Sequence, residues 1–369
     1  MKISRLAQLG AVAAVAALTL TACAANETPA TSPSGDASEA ATLTGTLVGG
    51  GASSQEVAVQ TWAAGLQTAN PDFTVDYDPA GSGTGRESFQ NGAVQFAGSD
   101  RAFKTDEIEA GPWEVCADGS DLVEIPTYIS PIAVAFNLPG VESLNLDAAT
   151  VAGIFAGEIT TWNDDAIASL NDGVDLPDTA ITPVHRSDDS GTTENFTDYL
   201  FQTAGDVWTN EPDGVWPLKG GEAANGTSGV IEAVQGGEGA IGYADASRVA
   251  DTELGTVAIQ VGEEFVSYSP EAAALVIDAS PEEEGRADSD IAIAIDRTTT
   301  EAGAYPIVLV SYLIGCAEYA DAEQATLVKA FFSYAASAEG QEAAAAQAGN
   351  APISDTLRTE IEAAIAVIK

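Results

Sequence analysis

The chain has 369 residues, 45% of them hydrophobic, and sets 56 Asp and Glu against 13 Lys and Arg, for a formal net charge of −43. Such acidity excludes a nucleic-acid partner and electrostatic attachment to anionic lipid, because both require a basic surface. One histidine and three cysteines provide no metal-ligand spacing, so neither a metal nor another cofactor is expected.

At the N-terminus, Lys2 and Arg5 precede an apolar run from Leu6 to Leu20 that ends in Leu20-Thr21-Ala22-Cys23. A positive start, a short apolar core and a small-residue exit describe a secretory signal over residues 1–22. A membrane span needs roughly 20 apolar residues with different flanks. The quartet resembles the bacterial lipobox, whose cysteine is lipidated and becomes the new N-terminus; the alternative is an ordinary signal peptide that contains a cysteine. Residues 23–41 are rich in Thr, Pro, Ser, Ala and Glu and read as a flexible tether. With Cys23 as the lipidation site, Cys116 and Cys316 remain as an even pair in an oxidising compartment, either as a disulfide or as two separate buried thiols.

The body that follows is too long for one compact core and is expected to form two lobes. Strand-like and helix-like segments alternate, the pattern of an α/β fold. The spacing predicts a strand over Thr44–Gly49 and a helix over Val57–Leu66 with Val57, Thr61, Trp62 and Leu66 on one side. Strands at Thr74–Tyr77 and Val94–Ala97 flank a short helix at Gly85–Asn91, and a strand at Ile181–His185 leads to a helix over Thr192–Phe201. Two Pro-led apolar runs, Pro131–Phe136 and Pro306–Ser311, are either strands passing between lobes or ordinary buried strands. Glu323–Ala348 is Ala-rich and helical, with Leu327, Phe331, Phe332 and Tyr334 as a packing face, and a terminal helix follows Ile353.

A local design recurs along this chain. Gly49–Glu56 and Gly81–Glu87 each follow a strand and open a helix, and Ser53 with Glu56 and Thr84 with Glu87 match a capping box. Arg186–Thr193 is a third such turn. Glycines let backbone approach a ligand closely, and helix N-termini offer unpaired N–H groups with partial positive charge. Several such turns facing one point make a donor-rich cage for a tetrahedral oxyanion. Arg186 supplies a fork-shaped cation for it. Taken singly, each turn is more simply a helix cap.

Ordered motifs now identify a resemblance: Gly49–Ser54, Gly81–Gly83, Phe96–Asp100, Phe136–Gly140, Ile154–Asp164, Arg186–Thr193 and Gly239–Tyr243. The sequence resembles the phosphate-binding component of the phosphate-specific ABC transporter, from about Leu43 to the C-terminal helix. The resemblance implies a two-lobed type II periplasmic-binding-protein fold with a hinge of crossover strands. One lobe would comprise 42–127 and about 303–369, the other about 128–302, with the return crossing placed between 250 and 302. It implies phosphate contacts at Ser53, Ser54, Ser82, Asp100, Arg186, Ser190, Gly191 and Thr192, with Asp188 holding the Arg186 guanidinium. Many relatives carry a bulky apolar residue at the position of Ser54, where the backbone N–H makes the contact. The implied protein is a monomeric, non-enzymatic receptor on the outer face of the cell membrane, held there by its lipid alone and serving ABC permease subunits.

Asp100 gives selectivity a physical basis, since phosphate near neutral pH retains a proton to donate and sulfate does not. A receptor for sulfate or another oxyanion is one competing reading. An exported hydrolase using Ser190 or Ser53 with His185 is another, and a surface adhesin or scaffold with no ligand is a third, which would leave the three donor-rich turns without a purpose. Strand alternation turns His185 away from Arg186, and the chain has no Gly-x-Ser-x-Gly elbow.

Overall fold

A computed structural model describes residues 42–369; the expected signal, the tether and Cys23 lie outside the described residues. The strands are β1 (Gly45–Gly51), β2 (Phe73–Asp78), β3 (Phe96–Ser99), β4 (Leu122–Phe136), β5 (Ser143–Leu146), β6 (Thr182–Arg186), β7 (Glu222–Ala224), β8 (Ala240–Asp245), β9 (Gly255–Val261), β10 (Glu264–Val266) and β11 (Val308–Cys316). The longer helices are α1 (Glu56–Ala69), α2 (Ser82–Gln90), α3 (Thr105–Ala110), α4 (Ala148–Ala156), α5 (Asp165–Ala168), α6 (Gly191–Thr203), α7 (Gly226–Gly236), α8 (Pro270–Ala279), α9 (Ala322–Ala336), α10 (Ala338–Ala348) and α11 (Asp355–Ala366).

The main sheet runs β2-β1-β3-β11-β4-β8-β6-β7, with β9 pairing β4, β5 and β10 at the side. Its ends are parallel, β2-β1-β3 and β8-β6-β7, while β11 and β4 are antiparallel to their neighbours. β4 joins the two halves. Leu122–Pro131 pairs with β11, and Ile132–Phe136 pairs with β8. All 15 residues of β4 are buried, which explains its unbroken apolar reading. The β4–β11 register shifts between Ser311 and Tyr312, opposite Tyr128 and Pro126, so a bulge bends the ladder where proline removes a donor.

The first Pro-led run is therefore the far end of the joining strand. The second differs: Pro306 and Ile307 precede β11, which begins at Val308 and pairs only with β3 and the first part of β4. The return connection is non-strand backbone beside β4, held where Ile132 N–H donates to the Ile307 carbonyl at 2.7 Å.

Helices pack against the sheet, α1 beside β2, α2 beside β3, α7 beside β8 and α8 beside β4. On α1 the buried stripe is Ala58, Val59, Trp62 and Ala63, displaced from the predicted one because Val57 and Thr61 are only partly covered. Trp62 sets this rotation: its ring meets Phe331 edge-on and its Nε1–H donates to the Gly340 carbonyl of α10 at 2.9 Å. The Ala-rich C-terminal stretch is two helices, since Ser337 ends α9 and caps α10 by accepting from Gly340 N–H at 3.0 Å. Cys116 and Cys316 form a disulfide with Cα atoms 5.5 Å apart, linking the loop before β4 to the end of β11 across a separation of 200 residues.

Behind the change of partner, Asp245 is fully buried and accepts from Tyr128 Oη at 3.0 Å and Ser247 N–H at 2.9 Å, while its Oδ2 has no partner. Burial pushes its carboxyl up to about 6 against the hydroxyls of Ser247, Ser130 and Tyr128. A carboxyl raised in the folded state favours folding most below its unfolded pKa, and that contribution is lost as pH rises through about 6. Asp245→Asn keeps an acceptor for Tyr128 and carries no charge. It is expected to raise stability at pH 7 by on the order of 1–3 kcal/mol and to flatten the stability profile between pH 4 and 6. Denaturant melts of both proteins at pH 4 and pH 7 check this, and an equal difference at the two pH values would refute it.

Candidate functional site

The carboxyl ends of β1, β3 and β6 point at one place, where the N-terminal ends of α1, α2, α6 and α7 also arrive. Open α/β sheets place ligands at such a crevice. Asp100, just past β3, is 3% exposed and sits at its centre. Its Oδ1 accepts from Ser54 Oγ at 2.5 Å and its Oδ2 from Thr192 Oγ1 at 3.0 Å. Its N–H donates to Ser82 Oγ at 3.1 Å. One residue thus gathers the first, second and third turns, its carboxylate holding Ser54 and Thr192 and its backbone N–H holding Ser82.

Glycine makes this approach possible at two points. A Cβ on Gly191 would stand 2.5 Å from Asp100 Cβ and 2.6 Å from Ser82 Oγ. Gly81 has φ +107°, and a Cβ there would lie 2.7 Å from both Asp188 Oδ2 and the Asp189 carbonyl. Gly83 N–H donates to that carbonyl at 3.2 Å, so the second and third turns touch directly.

The capping expectations need correction. The N-cap of α1 is Gln55 with no side-chain cap bond, and α2 starts at Ser82, which puts Thr84 inside its first turn. Neither capping box forms. Ser53 Oγ instead meets Thr227 Oγ1 at 3.0 Å and accepts from Thr227 N–H at 3.1 Å, serving the first turn of α7. Ser190 does cap its helix, accepting from Thr193 N–H at 3.2 Å.

Arg186 closes the ring. It is 3% exposed, its Nε donates to Asp188 Oδ1 at 2.8 Å, and its Nη2 meets Asp188 Oδ2. Asp188 Oδ1 also accepts from Gly226 N–H at 3.1 Å, tying the guanidinium to the α7 turn that holds Ser53. Burial raises the Asp188 carboxyl, but the hydrogen bond and charge of Arg186 outweigh it and hold the group below the usual carboxylate range. At Asp100 the balance is opposite. Burial pushes its carboxyl up, and the hydroxyls of Ser54 and Thr192 with the charge on Arg186 only partly offset that.

All eight sequence-expected contacts are buried around this point, and Asp188 is ion-paired with Arg186. Sequence reasoning missed Gly226 and Thr227, which belong to no recognisable turn motif. It also missed Arg86, a second buried guanidinium, whose Nη1 donates to Ser99 Oγ at 2.8 Å and whose Nη2 lies 3.9 Å from Asp189. His185 stacks on Trp216 with ring centroids 5.0 Å apart, and both its ring nitrogens lie against backbone carbonyls, of Arg186 and Gly220. Among the described residues no general base is hydrogen-bonded to Ser190, whose Oγ accepts from Thr193 N–H. Among the described residues no cluster of three or more His, Cys, Asp or Glu suits a metal ion, and no helix is long and apolar enough to cross a membrane.

A two-part α/β sheet with helix N-termini meeting at its carboxyl edge is the architecture of a solute-binding protein. A family model for the PBP superfamily domain matches residues 36–339. The phosphate-binding protein PstS2 of Mycobacterium bovis (strain BCG / Pasteur 1173P2) is 33% identical, with 100% of each chain covered. The phosphate-binding protein PstS 3 of Mycobacterium leprae is 33% identical with 86% of each covered. Among solved structures, the periplasmic phosphate-binding protein PfluDING bound with phosphate superposes with TM-score 0.64 at 24% identity, over 86% of this chain and 93% of that one. A human phosphate binding apolipoprotein gives TM-score 0.65 at 22% identity over the same shares. The chain belongs to the PBP superfamily and, within it, to the family of PstS phosphate-binding proteins.

Proposed function

We propose that this chain is the extracytoplasmic receptor of an ABC importer, binding inorganic phosphate between its lobes and delivering it to the permease subunits. It acts as a carrier and turns over no substrate. The observation that carries the reading is a buried carboxylate, Asp100, at the centre of an otherwise donor-rich ring. The hydroxyls of Ser53, Ser82 and Ser190, the backbone N–H groups at Ser54, Gly191 and Thr192 and the fork of Arg186 donate to phosphate oxygens, while the Ser54 and Thr192 hydroxyls hold the Asp100 carboxylate. Phosphate returns one proton to Asp100. Sulfate has none, so a buried acceptor would face its lone pairs, at a cost of about 1–3 kcal/mol or more.

The net charge of −43 opposes long-range capture of an anion, yet salt screens it beyond about 8–10 Å, leaving local contacts in control. The chain works as a monomer on the cell surface, anchored through a lipid on Cys23 with residues 24–41 as tether. Residues 42–127 with about 303–369 form one lobe and about 128–302 the other. The change of partner along β4 after Pro131, with the 306–307 connection beside it, supports these limits.

Calorimetric titration of the purified protein at neutral pH is expected to show saturable, tight phosphate binding and no sulfate binding at the same concentrations. Tight sulfate binding under those conditions would overturn the role given to Asp100.

A further inference from the structure

Asn195 lies one turn into α6 and is 6% exposed. Its side-chain nitrogen donates to the Asp100 carbonyl at 2.7 Å and to the Gly191 carbonyl at 2.9 Å. The first carbonyl follows β3 in one half of the sheet; the second opens α6 in the other half. A single amide therefore ties together the two backbones that carry Asp100 and Thr192. Its orientation is settled by Arg297, whose Nη2 meets Asn195 at 2.5 Å. A guanidinium has only donors, so the atom it meets must be the amide oxygen, and the NH2 must face the two carbonyls.

Arg297 is itself 2% exposed and anchored on several sides. Its Nε donates to Asp198 Oδ2 at 2.7 Å, further along α6. Its Nη1 donates to the carbonyls of Pro306 at 3.2 Å and Val308 at 2.7 Å, where the chain returns into β11. Arg297 thus connects α6 to the backbone running beside the change of partner in β4. Asp100, Asn195 and Arg297 also line one cavity of about 730 Å3.

We infer that Asn195 and Arg297 are positioning residues, a latch across the cleft that holds the closed anion site shut and slows phosphate release. The inference rests on the phosphate-binding reading above. Neither residue needs to touch the anion. Arg297 presets the amide, and the amide holds the Asp100 and α6 backbones at the spacing the site requires.

Stopped-flow measurement of phosphate association and release tests this with two variants. Asn195→Asp keeps the size and the acceptor for Arg297 but removes both donations to backbone. Arg297→Gln keeps Asn195 and removes the fork that orients it. Both are expected to release phosphate roughly ten- to a hundredfold faster, with association changed far less, as loss of buried donors at a formed site predicts. A role in folding alone would lower the melting temperature of the ligand-free protein and leave release from folded molecules unchanged, and that result overturns the latch. Faster release in only one of the two variants also overturns it, because the residues are argued to act as one unit. Failure of the wild-type protein to bind phosphate overturns the functional reading and the latch together; wild-type binding with unaltered release in both variants overturns the latch alone.

Discussion

Arg186→Ala is expected to weaken phosphate binding by about two to three orders of magnitude, the largest loss for any single substitution in the site. Arg186 is buried, and its Nε and Nη2 are already committed to Asp188, leaving its remaining donors for the ligand. Truncation removes a buried cation from this ring and leaves Asp188 as an uncompensated carboxylate. The second effect adds repulsion of the anion to the loss of attraction. Arg186→Ala combined with Asp188→Asn should therefore bind phosphate better than Arg186→Ala alone, although Gly226 N–H still donates to position 188. Arg186→Lys is expected to fall between, because a lysine cannot serve Asp188 and the ligand through one planar fork. Titration calorimetry of the three variants checks the order. Phosphate affinity unchanged in Arg186→Ala would remove this residue from the site.

Much of this arrangement was legible in the sequence because its determinants are local. The Gly49–Ser54 turn sits between a strand and a helix, and the family motifs carried Asp100 and Thr192 to positions that prove to be hydrogen-bonded. What was not legible depends on residues distant in sequence. Ser53 resembles a cap for α1, but its hydroxyl is taken by Thr227, 174 positions away, and no sequence spacing encodes that competition. The Thr84–Glu87 pattern failed for a different reason: positive φ at Gly81 lets α2 begin at Ser82, before the supposed cap. The role of Asn195 escaped because an asparagine in the first turns of a helix reads as ordinary. Arg297 lies in the stretch 251–300, which carried little of the family pattern, yet it reaches back to α6 and the return connection. The side-chain role of Ser54 was also visible only in three dimensions. Where many relatives have an apolar residue, this chain places a hydroxyl against Asp100 Oδ1.

That hydroxyl bears on the second large effect. Asp100→Asn is expected to reduce discrimination between phosphate and sulfate by about one to two orders of magnitude, as exchange of one buried acceptor for a donor predicts. In the wild-type protein the carboxylate already accepts from Ser54 and Thr192, and its remaining lone pairs suit a proton donor and repel a fully deprotonated oxyanion. In an asparagine one of the two atoms that accept from the Ser54 and Thr192 hydroxyls becomes an NH2, which donates to that hydroxyl and frees its proton for the ligand, or donates to the ligand itself. Sulfate then meets a donor in place of a charge and should bind more tightly, while phosphate loses its strongest acceptor. Acid should act on the wild-type protein in the same direction. Burial raises the Asp100 carboxyl, so as pH falls through its titration the group acquires a proton, changes from acceptor to donor and admits sulfate. The variant has no such group and its selectivity should vary far less over that range. Competition titrations with phosphate and sulfate at neutral and acidic pH measure both effects. Equal losses of phosphate and sulfate affinity in Asp100→Asn, or wild-type selectivity that stays constant as pH is lowered, would show that this carboxylate does not do the discriminating.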